Sequence, residues 1–600
     1  MSLQFITGNS GNGKTKYLFN RIVKEAKANP RDNYLVIVPE QFTMQTQRQL
    51  VDLSENKAIM NIDVLSFKRL AYRVFDELGI TNLTVLEETG KNLVLRKLAA
   101  QEADKLGVIG RNLNRIGYIS EVKSLLSELV QYNISPEELG RYIASGRLSD
   151  TLSDKLKDVL VLYEAFEKFM QDKYITAEEI LNVLSNVAEE SAILRNSVIA
   201  FDEFTGFTPI QNQLIKKLFV ISKKIYVTLT IDCREDIFKS RGMQELFDMP
   251  KRTVKSLTEM AAFYGIEVEE PIILDKNYRL AENEELSFME QQLFRKRRCS
   301  FKKVPKHIHI DCLRDPKQEL TKIARRINEL VRNENLRYRD IAIVTGDVNI
   351  YAGYVREIFD KYNIPYFIDA TQEILFHPFI EFIRSIPDIA AQNFSADAVF
   401  RFLRCGFSEL LDSEIDVLEN YVLACGVRGK SAWDKKWVRL PKHKAGYDLE
   451  LLNQSREYIM ELLKPVYQVF SDKKSTVKDY VLAIYKLIVL LDIPDKLAKK
   501  EQALLDAGDQ TASKEYGQIY KIVMQLFEKY VAVLGDECMD AEEFTQILDA
   551  GLDAADVAVI PPGYDTVTIG AIERTRLTNI KVMFFAGVND GIVPKAAGRG

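Results

Sequence analysis

Cysteine is scarce and scattered in this chain. The six cysteines among 600 residues, Cys233, Cys299, Cys312, Cys405, Cys425 and Cys538, lie far apart and form no C-x-x-C pair. That spacing excludes a disulfide framework and suits unpaired thiols in a reducing cytoplasm. Long apolar runs are missing too, so nothing approaches the ~20 residues needed to cross a bilayer. The first residues do not read as a signal peptide, because their apolar stretch is short and runs straight into a glycine loop. There is no low-complexity segment and no fixed-period repeat. A basic excess is also absent: 81 Lys and Arg stand against 86 Asp and Glu, for a formal net charge of −5. Any nucleic-acid contact must therefore come from local basic surface. The 46% hydrophobic and 28% charged content is that of an ordinary soluble globular protein. At about 150 residues per domain, the length predicts roughly four domains.

What the chain does have comes first. "LQFIT" reads as a short buried strand, "GNSGNGKT" follows, and "KYLFNRIVKEAKA" has apolar residues at helical spacing. Strand, glycine loop and helix are the context in which G-x-x-x-x-G-K-[ST] is a P-loop. The segment Gly8, Asn9, Ser10, Gly11, Asn12, Gly13 lets backbone N–H groups curl around phosphates. Lys14 can reach the β- and γ-phosphates, and the Thr15 hydroxyl can ligate Mg²⁺. The helix N-terminus adds a positive field. The bland alternative is a glycine-rich turn that binds nothing. A P-loop needs an acidic partner, and "SVIAFDEF" supplies one: an apolar strand ending at Asp202-Glu203, expected on a strand neighbouring the P-loop strand. Asp202 would hold Mg²⁺ through water and Glu203 would orient or deprotonate the attacking water. The alternative there is a solvated acidic turn.

The remaining pattern predicts an α/β fold with two parallel-sheet domains, each interrupted by a helical insertion. Residues 1–78 and 191–292 form the first α/β domain, with strands at "YLVIV", "IDVL" and "KKIYVTLTID"; residues 79–190 form its insertion. Residues 293–400 and 546–600 form the second, with strands at "HIHIDC", "DIAIVTG", "IPYFID", "TVTIGAI" and "KVMFFAGVND"; residues 401–545 form the second insertion. The second domain reads as incomplete after "VPKAAGRG", so we expect the chain to be part of something longer. His307, His309 and Asp311 share one face of "HIHIDC"; they read as polar positions of an edge strand, with a metal site as the alternative. The basic run Arg295, Lys296, Arg297 and Arg298 reads as a solvated linker or a phosphate contact. Trp433 and Trp437, set among lysines, read as a partner or DNA contact or as a long loop.

Several stretches resemble superfamily 1 helicases of the UvrD/Rep type. "DEFTGFTPIQ" looks like their D-E-F-Q-D-T-x-x-x-Q signature, and "ILDKNYRL" looks like L-x-x-N-Y-R, whose arginine, Arg279 here, points at the γ-phosphate. The fold implied is a pair of RecA-like P-loop lobes with helical insertions. A closer similarity is to the B subunit of the ATP-dependent helicase/nuclease of Gram-positive bacteria, the AddB type. It is carried by "PEQ" after the second strand, "IPYFIDATQEILFHPFIEFIRS", "VIPPGYDTVTIG" and "GVNDGIVP", and covers essentially the whole chain.

That resemblance implies a heterodimer with an A-type motor/nuclease subunit that resects double-strand breaks for homologous recombination and responds to a hotspot sequence. It implies ATP and Mg²⁺ as cofactors, single-stranded DNA from duplex ends as ligand, and no membrane. It also implies a C-terminal nuclease domain with an iron–sulfur cluster, which we expect beyond Gly600, since no G-x-x-D-R-x-D…Y-K pattern and no clustered cysteines occur here. It places Phe42, Phe67 and Tyr72 at a single-strand channel, with Lys68, Arg69 and Arg73 on the DNA backbone; the alternative is core aromatics and solvated charge. True motors carry an adenine-reading glutamine segment before the P-loop, but here only "MSLQ" stands there and Gln4 lies within the strand. Motors also carry D-D-x-Q where this chain has "TIDCRED", and T-x-H-x-A-K-G-L-E where it has "IGAIERTRLTNIK". These departures imply nucleotide binding without translocation. A self-sufficient helicase and a scaffold with a relic P-loop are the competing readings.

Overall fold

A computed structural model describes residues 1–595 except 56, 81–84, 87, 108–117, 146–147, 172–173, 296–298, 370–371, 375, 442–446, 508, 554–555, 558–564, 574, 576 and 578–579. Lys296, Arg297, Arg298, the V-I-P-P stretch at 559–562 and part of the late motif at 569–581 lie outside the described residues. The chain divides into two units. One comprises 1–87, 104–111 and 120–312, and the other 88–103, 112–119 and 313–600.

Apolar, β-branched runs build the parallel sheet of the first unit. Its strands are β1 (Ser2–Gly8), β2 (Tyr34–Ile37), β3 (Ile62–Leu65), β6 (Val198–Phe201), β7 (Lys224–Thr230), β8 (Glu267–Val268) and β9 (Ile272–Leu274), in the order β3-β2-β6-β7-β1-β8, with β9 also on β1. A two-stranded parallel pair, β4 (Val85–Leu86) and β5 (Ile175–Thr176), lies apart from it. Because side chains alternate along a strand, each strand feeds two cores. Ile6, Tyr34, Val36, Val198 and Ala200 face one cluster, closed by Leu18, Phe19 and Ile22 of α1 (Lys14–Ala28) and Leu50 of α2 (Thr43–Leu53). Leu3, Phe5, Leu35, Ile37, Ile199 and Phe201 face the other, which also holds Leu70 and Val74 of α3 (Phe67–Leu78) and Ile210, Leu214 and Leu218 of the helix Pro209–Ile221. Helices on both faces are what a continuous apolar strand requires. All these pairings are parallel. The carboxyl ends of β1, β2, β3, β6 and β7 therefore lie along one edge.

Two expectations change here. β6 is not adjacent to β1; β7 lies between them. At a strand spacing of about 4.8 Å, the acidic pair starts about 10 Å from the P-loop strand, and other residues must close that gap. Residues 307–312 form no strand; the segment is irregular and largely exposed, with Ile310 95% accessible. No strand among the described residues pairs with it: Ile308 alone turns into an apolar cleft beside Phe288 and Phe301, and the backbone is held by Glu285, which accepts from the N–H groups of Lys306 and His307. No group of three or more His, Cys, Asp or Glu able to hold a metal occurs among the described residues.

The second unit carries a four-stranded parallel sheet, β11-β14-β10-β15, from β10 (Ile341–Thr345), β11 (Tyr366–Asp369), β14 (Val567–Ala571) and β15 (Val582–Ala586); a short antiparallel pair joins β12 (Gln372–Glu373) to β13 (Asp556–Val557). Helices Pro316–Asn333 and Asn349–Lys361 cover the four-stranded sheet. The larger core of this unit is built mainly by helices, from residues 374–552 with Leu93, and it includes Trp433 at 0% and Trp437 at 7% exposure. Both tryptophans are core residues, because their rings pack on each other and on Phe394, Phe400 and Tyr421. No helix among the described residues is long and apolar enough to cross a membrane.

Helix α4 (Glu88–Gln101) follows β4 in the chain yet belongs to the second unit. Leu93 is fully buried in the helical core, Arg96 donates to the Gln546 carbonyl at 2.8 Å, and Lys97 pairs with Glu537 at 2.6 Å. Leu93→Ala is expected to cost the second unit about 2–5 kcal/mol, the usual penalty for a core leucine. Hydrogen exchange should then speed up in helices 510–534 and 541–553 while β1, β6 and β7 keep their protection. Faster exchange confined to the first sheet would place α4 with the first unit instead.

Candidate functional site

The P-loop spans Gly8 to Thr15, between β1 and α1. Gly11 and Gly13 have φ of 89° and 80°, the left-handed region that side chains resist. Gly13 is the N-cap of α1; no side chain caps it and the first turn holds no acid. The free N–H groups of that turn are thus open to an anion. Lys14 is half-buried, and its ammonium donates to the carbonyls of Gly8 (3.1 Å) and Asn9 (3.0 Å). Burial pulls its pKa below the usual lysine range, and Arg279 adds to that, while Glu203 and Asp202 pull the other way.

The gap created by β7 is closed by hydroxyls. Thr15 Oγ1 lies 3.3 Å from Asp202 Oδ1 and 3.4 Å from Glu203 Oε1. Thr228 of β7 also donates to Asp202 Oδ1. Asp202 is 1% exposed, whereas Glu203 is exposed and sits at φ 67°. A left-handed glutamate at a strand end is strained by about 1–3 kcal/mol, and here the turn keeps the second carboxylate on the Thr15 side. The donors are all hard oxygens, which suits Mg²⁺ rather than a soft metal.

The segment after β9 clamps the loop from the other side. Asn277 Nδ2 donates to the Ser10 carbonyl at 2.9 Å, and the backbone N–H groups of Tyr278 and Arg279 donate to the Gly11 carbonyl at 3.0 and 3.3 Å. Asn12 Nδ2 donates to the Leu274 carbonyl at 2.5 Å. Asn9 is buried and bridges two further segments, donating to Glu290 Oε1 at 2.8 Å and accepting from the Cys233 N–H at 2.9 Å. Beside it, Asp232 binds Arg234 at 2.6 Å and Arg295 at 3.0 Å. Burial pushes the Asp232 carboxyl up, but the hydrogen bonds from Arg234 and Arg295 outweigh it and hold it well below the usual carboxylate range. Arg295 also stacks over Phe247, so this first residue of the basic run is a structural cation, not a free phosphate contact. Gln4 is 7% exposed and its amide donates to the Glu270 carbonyl at 3.1 Å.

The structure thus brings Gly8–Thr15, Asp202, Glu203 and Arg279 together in one unit. The sequence did not point to Asn277 and Tyr278 as the clamp, to Asn9 as a bridge, or to Thr228. Their signals were the residues flanking Arg279 and a threonine inside the apolar run of β7.

The DNA candidates separate. Helix α3 starts at the same carboxyl edge, with Ser66 Oγ capping the Arg69 N–H. Lys68, Arg69, Tyr72 and Arg73 lie on its exposed face; Tyr72 is 39% exposed and Arg73 faces Asp63 at 3.9 Å. Phe67 is 8% exposed, its ring 5.8 Å from Phe201, 5.6 Å from Phe204 and 6.4 Å from Phe207. It is a core ring with no open face for a base, because the first residue of α3 turns inward over β6. Phe42 is half-buried against the α1–α2 core. The exposed ring on this face is Tyr72.

Comparison with known proteins adds the lineage. Residues 5–290 match the family described as "ADDB, N-terminal". Three curated proteins, each named as the B subunit of an ATP-dependent helicase/deoxyribonuclease, are similar across the chain. The one from Lachnoclostridium phytofermentans is 40% identical over 606 residues, covering 99% of this chain and 53% of its own. That of Clostridium acetobutylicum is 32% identical over 609 residues, with 100% and 52% coverage. That of Caldanaerobacter subterraneus subsp. tengcongensis is also 32% identical over 609 residues, with 100% and 52% coverage. The chain spans about half the length of the curated relatives it matches.

A Cβ at Gly11 would stand 2.7 Å from Asn277 Oδ1 and 2.9 Å from Arg279 Cβ, on a left-handed backbone. Gly11→Ala is therefore expected to lose about 1–3 kcal/mol of stability, read by chemical denaturation. An unchanged midpoint would mean that segment 275–280 does not close on the loop.

Proposed function

The chain belongs to the AddB type of helicase/deoxyribonuclease B subunits, and on that premise we propose that it binds Mg²⁺–ATP at the P-loop and single-stranded DNA over the exposed face of α3. The observation that carries the nucleotide reading is the meeting of Thr15 with Asp202 and Glu203 beside Lys14. Bound Mg²⁺ supplies charge neutralisation at the β- and γ-phosphates. Gly8 to Gly13 cradle the phosphates through backbone N–H groups, and Lys14 balances their charge. Thr15 would hold the ion directly and Asp202 through water, Glu203 would orient the attacking water, and Arg279 would face the γ-phosphate.

We assign the chain to the helicase-like part of an ATP-dependent helicase/exonuclease that processes DNA double-strand breaks for homologous recombination. There it scans single-stranded DNA for a hotspot sequence, in the cytoplasm, as the partner of an A-type motor/nuclease subunit. The nuclease chemistry and its iron–sulfur cluster belong, in this reading, to the part of the relatives that this chain does not span. Two features support scanning over driving. Gln4, the glutamine ahead of the P-loop, is committed to a main-chain carbonyl within the sheet. The stretch "IDCRED" after β7 ties its Asp232 to two arginines and itself carries no glutamine to sense a γ-phosphate.

Titration with a fluorescent ATP analogue, followed by phosphate release with single-stranded DNA, tests this assignment. The chain is expected to bind nucleotide, to lose most of that affinity in Lys14→Ala, and to show little DNA-stimulated turnover. Equal affinity in Lys14→Ala would sink the phosphate reading, and brisk DNA-stimulated turnover would give the chain to the motor class.

The DNA face makes its own prediction. Affinity should fall with salt, and Lys68→Ala with Arg69→Ala should make the log–log slope shallower by about 0.7 per lost phosphate contact. Tyr72→Ala should weaken binding by about 1–3 kcal/mol at an unchanged slope. If neither change alters single-strand affinity, the DNA lies elsewhere.

A further inference from the structure

We propose that Thr228 is a positioning residue of the nucleotide site, its hydroxyl fixing the Asp202 carboxylate so that the Thr15–Asp202 pair is preset for a divalent cation. The proposal rests on the Mg²⁺–nucleotide reading of the P-loop and goes beyond it in naming a residue on a third strand. β7 reads "KIYVTLT", and Thr228 is 3% exposed in its middle. A valine would fill the same space at a position where the neighbours Val227 and Leu229 are apolar, so the hydroxyl needs a reason. Register supplies it. Phe201 pairs with Val227, so the next step along both strands sets Asp202 beside Thr228.

Asp202 Oδ1 thereby accepts from two hydroxyls, Thr228 on β7 and Thr15 on the loop side. A carboxylate turns easily about its terminal torsion; two donors arriving from different strands hold it in one orientation. With its proton directed at Asp202, Thr15 keeps its oxygen lone pairs for a cation. Thr228 touches neither nucleotide nor cation in this scheme. It acts through Asp202, and it also compensates the burial of a carboxylate that the intervening strand would otherwise leave in apolar surroundings.

The test measures affinity of the 600-residue chain for a fluorescent ATP analogue in Mg²⁺ and in EDTA, for wild type, Thr228→Val and Thr228→Ser. Wild type is expected to bind more tightly in Mg²⁺. Thr228→Val should lose about tenfold of that enhancement, the equivalent of one hydrogen bond to a charged group, while its affinity in EDTA stays within about twofold; Thr228→Ser should restore the enhancement. A wild-type enhancement in Thr228→Val, or equal weakening with and without Mg²⁺, would overturn the proposal. Absence of any Mg²⁺ enhancement in wild type would instead remove the underlying nucleotide reading. Should the valine chain fail to fold, Thr228→Ala carries the same comparison.

Discussion

A buried carboxylate in an apolar sheet is costly unless donors meet it. Asp202 sits at the end of a strand whose four residues are all buried, one strand removed from the P-loop. It stays there because Thr15 and Thr228 both turn hydroxyls to the same oxygen. The rest of the edge follows from that meeting. The parallel register puts Gly8 level with Thr230 and Phe201 level with Val227, so the loop, the acid and the bridging threonine arrive within hydrogen-bond reach.

Around that point the loop is held by main chain more than by side chains. The Gly11 carbonyl takes two backbone N–H groups from segment 278–279, and such contacts tolerate no Cβ at Gly11. The tip is tied through Asn9 to Glu290 and to the Cys233 N–H, next to the Asp232–Arg295 pair. The groups that would sense nucleotide are therefore in contact with residues 284–295, the last helix of the first unit and the turn that follows it. A network of buried hydrogen bonds of this kind rigidifies the loop.

The same edge divides its aromatics between structure and surface. Phe67, Phe201, Phe204 and Phe207 form one cluster of rings with centroids 5.2–6.4 Å apart, which anchors the start of α3. With Phe67 turned inward, α3 presents Lys68, Arg69, Tyr72 and Arg73 outward at helical spacing. A basic face with one ring is the surface on which an acidic chain would take the polyanion proposed above.

The P-loop was legible in the sequence because its chemistry is local: eight consecutive residues, flanked by a strand and a helix, carry both the turn and the charge. Asp202-Glu203 and Arg279 were legible for the same reason, each ending a short motif, and so was the succession of apolar strands and amphipathic helices. Tertiary structure decided what depends on strand order and on burial. Sequence could not say that β7 separates β6 from β1, and so could not show that Thr228 reaches the acid's Oδ1. It could not tell which of two adjacent residues, Phe67 or Lys68, faces inward, since that follows from the angle at which α3 leaves β3. The histidine strand failed because alternation predicts a strand only where a second strand awaits it to take its backbone hydrogen bonds. The tryptophans at 433 and 437 looked like surface by their lysine neighbours, yet the helical core of the second unit drew both rings in, because burying so large an apolar area outweighs the pull of the flanking charges toward water.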